Sequence, residues 1–125
     1  MALTAADHLE ILELVARYNH AVDSADAQAR ADTFTDDAVF ESPGRVLRGR
    51  ADFLQPIDPD RRNGRHWVDN VVIEGDGNEA RLHCYLMLID VAGSPKVRVT
   101  GVYEDTLRRV GGAWKFAHRR FTRDG

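Results

Sequence analysis

The sequence predicts an α+β domain, with helices first and a sheet after them. Three observations carry this. Apolar residues between Leu9 and Val22 recur at helical spacing. From Arg65 onward the chain turns to strand-like runs rich in β-branched and aromatic residues. Glycine-bearing turns at Gly75-Asp76-Gly77-Asn78, Ala92-Gly93-Ser94-Pro95 and Gly111-Gly112 cut that second half into hairpin-linked strands. Separation of helices from strands along a chain is the α+β pattern. With 125 residues, no repeat and no linker, the chain reads as one domain over residues 1–125.

The elements follow in order. Thr4 and Asp7 form a capping box, with Asp in place of the usual Glu. Leu9, Ile11, Leu12, Leu14, Val15, Tyr18, Ala21 and Val22 then give a helix of about five turns, ending near Asp23 or Ser24. Asp26 caps a short second helix through Ala31 to Phe34, and Thr35-Asp36-Asp37 breaks it. Ala38 to Glu41 is a short strand and Ser42-Pro43-Gly44-Arg45 a turn, with Val46 and Leu47 in a second short strand. Gly49 to Gln55 reads as a third helix stopped by Pro56. His66–Glu74, Glu79–Val91, Lys96–Val110 and Ala113–Thr122 are the long strands.

Alternation assigns faces to these strands. Val97, Val99, Gly101, Tyr103, Asp105 and Leu107 share the face expected to point inward. The middle of Glu79–Val91 is apolar on both faces: Leu82, Cys84, Leu86 and Leu88 on one, Tyr85, Met87 and Ile89 on the other. A strand covered on both sides needs two partners. Helices supply one, and the expectation for the other is a second subunit, giving a homodimer through the sheet.

Composition excludes several classes. Apolar residues make up 43% and charged residues 30%, as in an ordinary globular protein. A net charge of −3 argues against a nucleic-acid partner, which takes a basic face. No stretch has the ~18 apolar residues a membrane helix needs. Met1 to Glu10 lacks the pattern of a signal peptide, so the expected location is cytoplasmic. The single cysteine, Cys84, reads as a small core residue. There is no phosphate loop, no dinucleotide fingerprint and no nucleophile elbow. His20 and Asp23 resemble half a metal site with no further ligands. No metal and no cofactor are expected.

Asp23 and His66 stand out as candidate functional residues. One lies where the first helix runs out and the other where the first long strand begins. A carboxylate that accepts the imidazole Nδ1–H fixes the tautomer and leaves Nε2 free as a base. The bland readings are a capping aspartate and a structural histidine. Tyr18 lies on the helix's apolar stripe, with a hydroxyl that needs a partner if buried. Asn70 is in phase with His66 under simple alternation. Asp105, pointing inward, calls for a cation, with Arg119 and Arg120 the candidates. His83 shares its phase with Tyr85 and Met87.

Five motifs, in order and covering nearly the whole length, resemble the SnoaL-like proteins of the nuclear transport factor 2-like, ketosteroid isomerase-like superfamily. They are Tyr18-Asn19-His20-Ala21-Val22-Asp23-Ser24-Ala25-Asp26, Phe34-Thr35-Asp36-Asp37-Ala38-Val39-Phe40, Arg65-His66-Trp67-Val68-Asp69-Asn70, Gly101-Val102-Tyr103-Glu104-Asp105 and Gly112-Ala113-Trp114-Lys115-Phe116. The resemblance implies a cone, a strongly curved antiparallel sheet wrapped around three helices (a cystatin-like α+β barrel) with an apolar pocket, dimerised through the sheet. Its dehydratases and dehydrohalogenases use an Asp at the helix end and a His at the strand start, which match Asp23 and His66. Its bile-acid dehydratases add a tyrosine matching Tyr18. Scytalone dehydratase has tyrosines where this chain has Val22 and Phe40, and its second histidine falls near Arg98 or Thr100.

These readings lead to a cofactor-independent lyase or isomerase acting on a small apolar molecule. His66, Asp23 and Tyr18 are the expected catalytic residues. Asn70, Tyr103, Val22, Phe40, Tyr85 and Met87 are the expected pocket lining. The alternatives are a non-catalytic binding or dimerisation module of the same fold, and an accessory subunit of a larger enzyme.

Overall fold

The computed structural model describes all 125 residues, Met1–Gly125. Helix α1 (Ala5–Asp23) begins at the predicted capping box: Thr4 accepts from the Asp7 amide and Asp7 from the Thr4 amide. Its buried stripe is Ile11, Leu14, Val15, Tyr18 and Val22, the i, i+3/i+4 rows that meet on one face. Leu9 and Leu12, counted with the stripe in the sequence, lie on the solvent side. Helix α2 (Ala27–Ala31) is capped by Asp26 and ends earlier than the sequence suggested, because strand β1 (Phe34–Ser42) already starts at Phe34. Strand β2 (Arg45–Arg48) and helix α3 (Gly49–Phe53) follow. A 3₁₀ turn at Pro59–Asn63, not anticipated from the sequence, leads into β3 (Gly64–Asp76). The meander closes with β4 (Glu79–Asp90), β5 (Lys96–Val110) and β6 (Ala113–Arg123).

The sheet runs β2-β1-β6-β5-β4-β3. It is curved but not closed, so it is an open sheet rather than a barrel, with β2 and β3 as edges. All pairings are antiparallel except β1 with β6. That parallel pair joins segments far apart in sequence, which hairpin patterning cannot foretell.

The inner face packs on α1. Ala80, Leu82, Cys84 and Leu86 of β4 are buried, and so are Tyr103 and Leu107 of β5. Trp114 and Phe116 of β6 and Phe34, Ala38 and Phe53 complete the core. Phe34 stacks on Phe53 with centroids 4.0 Å apart. Burial pushes the Cys84 thiol up to about 12, so it is an inert core group. Gly101 is required by close approach: a Cβ there would lie 2.3 Å from the Thr122 carbonyl oxygen and 2.4 Å from the Phe121 ring.

Bulges in β3, β5 and β6 correct the simple alternation of the long strands. Between Asp69 and Val72 the β3 register shifts, so Val71 and Ile73 take the inner positions and Asn70 is turned out. In β5, Leu88 pairs Val99 and Ile89 pairs Val97, which leaves Arg98 as the extra residue. In β6, Thr106 pairs His118 and Leu107 pairs Phe116, so Ala117 is extra and Arg119 turns inward opposite Asp105.

Candidate functional site

α1 ends at Asp23, and the chain then turns through Ala25 in the left-handed region (φ 54°). Asp26, not Asp23, caps the next helix, so the Asp23 carboxylate is free to reach β3. Its Oδ1 lies 2.5 Å from His66 Nδ1, and its Oδ2 accepts the His66 backbone N–H at 3.1 Å. An ionised carboxylate only accepts, so Nδ1 of the neutral ring carries the proton and Nε2 presents its lone pair. The side chains are 7% and 14% exposed, dry enough to hold this geometry.

His66 borders a cavity of about 510 Å³ between the curved sheet, the end of α1 and the segment Pro56–Arg61. Tyr18, Val22, Phe40, Leu86, Tyr103 and Phe121 form its apolar wall. Asp23 borders the neighbouring hollow rather than this cavity, and His66 stands between the two and borders both. Burial raises both tyrosine hydroxyls above their ordinary value, with Arg119 opposing it, so they remain neutral hydrogen-bond donors at neutral pH.

Behind these tyrosines lies a buried ion pair. Arg119 Nε donates to Asp105 Oδ1 at 3.0 Å, and both side chains are fully buried. The guanidinium stacks over Tyr103 at 3.6 Å, Phe116 at 4.4 Å and Tyr18 at 4.5 Å. Burial pushes the Asp105 carboxyl up to about 6 against the Arg119 charge. Arg30, also buried, donates to the Phe53 carbonyl at 2.7 and 3.0 Å and to the Gln55 carbonyl at 2.9 Å, pinning the chain that leads into the Pro56–Arg61 wall.

The sequence-predicted residues divide. Asp23, His66, Tyr18, Val22, Phe40 and Tyr103 converge on this cavity or directly behind it. Asn70, Tyr85 and Met87 do not line it. The β3 bulge turns Asn70 (φ 56°) out, and Tyr85 and Met87 occupy the outward phase of β4, opposite Asp69 and Trp67. Asn70 and Tyr85 border an outer-face groove of about 640 Å³ with His83. Tyr85 and Met87 border an open hollow at the sheet edge that reaches the Asp23 side of the pair. The 510 Å³ cavity is the candidate site because it alone combines His66 with Tyr18 and Tyr103. Sequence reasoning missed Leu86, Leu88 and Phe121 as lining, and five arginines besides. For Phe121 the inward phase of β6 past its bulge was the missing signal. No three His, Cys, Asp or Glu side chains are grouped to hold a metal ion, and no helix is long and apolar enough to cross a membrane.

The model of the SnoaL-like domain matches residues 3–120. The chain belongs to the SnoaL-like domain family. No curated protein matches this SnoaL-like chain. Among solved structures, a Nostoc punctiforme protein of unknown function with a cystatin-like fold is 26% identical, with a TM-score of 0.89 over 99% of this chain and 96% of that one. Rv3472 of Mycobacterium tuberculosis, also of unknown function, is 31% identical, with a TM-score of 0.87 over 95% of this chain and 72% of that one. A provisional scytalone dehydratase from Novosphingobium aromaticivorans shares the fold, at 20% identity and a TM-score of 0.80 over 96% and 85% of the two chains.

Proposed function

We propose that this SnoaL-like protein is a cofactor-independent lyase or isomerase in which His66 moves a proton to and from carbon. The observation that carries the reading is the Asp23–His66 contact, made by a histidine that borders the same cavity as Tyr18. Nε2 takes a proton from a carbon beside a carbonyl. The C–H electron pair moves toward the carbonyl, and the oxygen gains charge. Tyr18 donates a hydrogen bond to that oxygen, and Asp23 stabilises the imidazolium. In an elimination the electron pair then expels a hydroxide from the neighbouring carbon, and the imidazolium proton leaves with it as water. In an isomerisation the same proton returns to a different carbon. Acid–base help of this kind typically contributes about 10²–10⁴-fold in rate.

The test is proton exchange, which does not require the true product to be known. A panel of β-hydroxy carbonyl and steroid-like ketones is incubated in D₂O and followed by NMR. The expected result is deuterium incorporation at the acidic carbon with wild-type protein and none with His66→Ala. Exchange retained in His66→Ala overturns the reading. Tight binding across the panel with no exchange favours a non-catalytic binding module.

A further inference from the structure

The cavity carries a charge pattern that proton transfer alone does not call for. Arg30, Arg45, Arg61, Arg98 and Arg123 border it, against one carboxylate, Asp58. This stands out in a chain of net charge −3. Arg30 is buried and committed to backbone carbonyls. The other four are exposed. None of them joins an ion pair, whereas Arg50, Arg108 and Arg109 elsewhere sit on carboxylates. Asp58 is turned to its own segment, where its side chain accepts the Asp60 amide at 3.0 Å.

The four cations come from separate parts of the chain: the β1–β2 junction, the 3₁₀ turn, β5 and β6. Arg98 is the extra residue of the β5 bulge. Burial is the main force holding Arg30 below its ordinary value, and the nearby charges of Arg45 and Arg61 add to it. Unpaired like charges brought to one mouth repel, and a bound anion relieves that repulsion. Guanidinium groups also match a carboxylate's two oxygens.

We infer that the ligand of this cavity is an organic carboxylate, with its apolar body against Phe40, Leu86, Tyr103 and Phe121 and its charged end among Arg45, Arg61, Arg98 and Arg123. The inference rests on the proposed function for the choice of cavity, not for the chemistry performed there. A carboxylate held at the mouth fixes how deep the body enters, and so which carbon meets His66.

Two probes of one shape test it: 2-naphthoate and its neutral isostere 2-naphthamide, titrated calorimetrically into the full chain. The expected result at about 50 mM salt is naphthoate binding roughly tenfold tighter or more, with the advantage shrinking at about 500 mM as screening grows. The double variant Arg61→Gln/Arg98→Gln is expected to lose most of that advantage, with naphthamide affinity held within about twofold. In His66→Ala the preference for naphthoate persists. Equal or weaker binding of naphthoate, a preference unchanged in the double variant, or no binding of either probe overturns the inference. Charge preference without proton exchange sinks the catalytic reading alone. Proton exchange without charge preference sinks the anion site alone.

Discussion

Asp23 grips His66 twice, with one carboxylate oxygen on the ring Nδ1 at 2.5 Å and the other on the backbone amide at 3.1 Å. The second contact ties the end of α1 to the start of β3, so the carboxylate both orients the ring and joins two elements. Asp23→Asn keeps the shape but supplies one acceptor where two are used. Either the His66 amide loses its partner or the ring changes tautomer. The expected outcome is a loss of about 10²-fold or more in proton exchange, and about 1–3 kcal/mol of stability for a part-buried N–H left unpaired. His66→Ala should abolish exchange while leaving the melting temperature closer to wild type. NMR exchange and thermal melts on the two variants check both halves.

Tyr18→Phe separates a pocket hydroxyl from a core brace. The Tyr18 ring packs edge-on against Phe34 and Phe116, centroids 5.8 and 6.0 Å away, and phenylalanine preserves those contacts. The expected outcome is a fall of about 10-fold or more in exchange rate with the melt nearly unchanged. A drop of about 1 kcal/mol or more in stability would show that the hydroxyl braces the fold instead.

Asp7 is expected to set part of the acid limb of stability. Its carboxyl is held at about 2, chiefly by the Thr4 backbone N–H, then by the Trp114 Nε1–H and Arg109, with burial opposing. A carboxyl depressed in the folded state contributes stability above its ordinary value of 3.8 and loses it as pH falls through about 2. In melts against pH, wild type should therefore exceed Asp7→Asn at neutral pH, and the gap should narrow as pH falls from 3.8 toward about 2. A gap independent of pH would contradict this assignment.

Asp105 behaves in the opposite sense. Its folded-state value is raised from 3.8 to about 6, chiefly by burial, so the fold favours the protonated form and stability falls as pH rises from 3.8 to about 6, where the ionised carboxylate still faces Arg119. Removing it leaves Arg119 as a buried charge without its carboxylate. Asp105→Leu should cost about 3–5 kcal/mol in urea unfolding, and adding Arg119→Met should recover most of that loss. Equal losses in the single and double variants would show that the pair is not the source.

Much of this was legible in the sequence, and the failures share a cause. The capping box, the Tyr18 stripe, the hairpin turns and the inward phase at Tyr103–Leu107 follow from local periodicity, and the structure has them. Asp23 and His66 stood out because each ends an element. Asn70 was misplaced and Arg98 was missed as cavity lining because each sits at a bulge, and one extra residue reverses every face that alternation assigns. The choice between Arg119 and Arg120 as partner of Asp105 stayed open for the same reason, since the bulge at Ala117 decides it. The parallel β1–β6 pairing, and with it the open sheet, depends on contacts between distant segments that no local pattern encodes.

The outer face of the sheet supports a final expectation. Trp67 is 61%, Val72 56% and Tyr85 53% exposed, and they lie on the same side of neighbouring strands β3 and β4. Met87 pairs with Trp67, and Val102 pairs with Tyr85, extending this apolar surface onto β5. Aromatic side chains standing in water on the outside of the sheet carry a large unrealised burial term, about 25 cal/mol per Å² of apolar surface. A second copy of the chain presents the same surface and can cover it by two-fold symmetry. Light scattering at micromolar concentration is expected to give the mass of two chains. Trp67→Glu with Tyr85→Glu is expected to give one chain with unchanged circular dichroism, because neither side chain belongs to the core. A wild-type monomer, or a dimer that survives both charges, would remove this face from consideration as the interface.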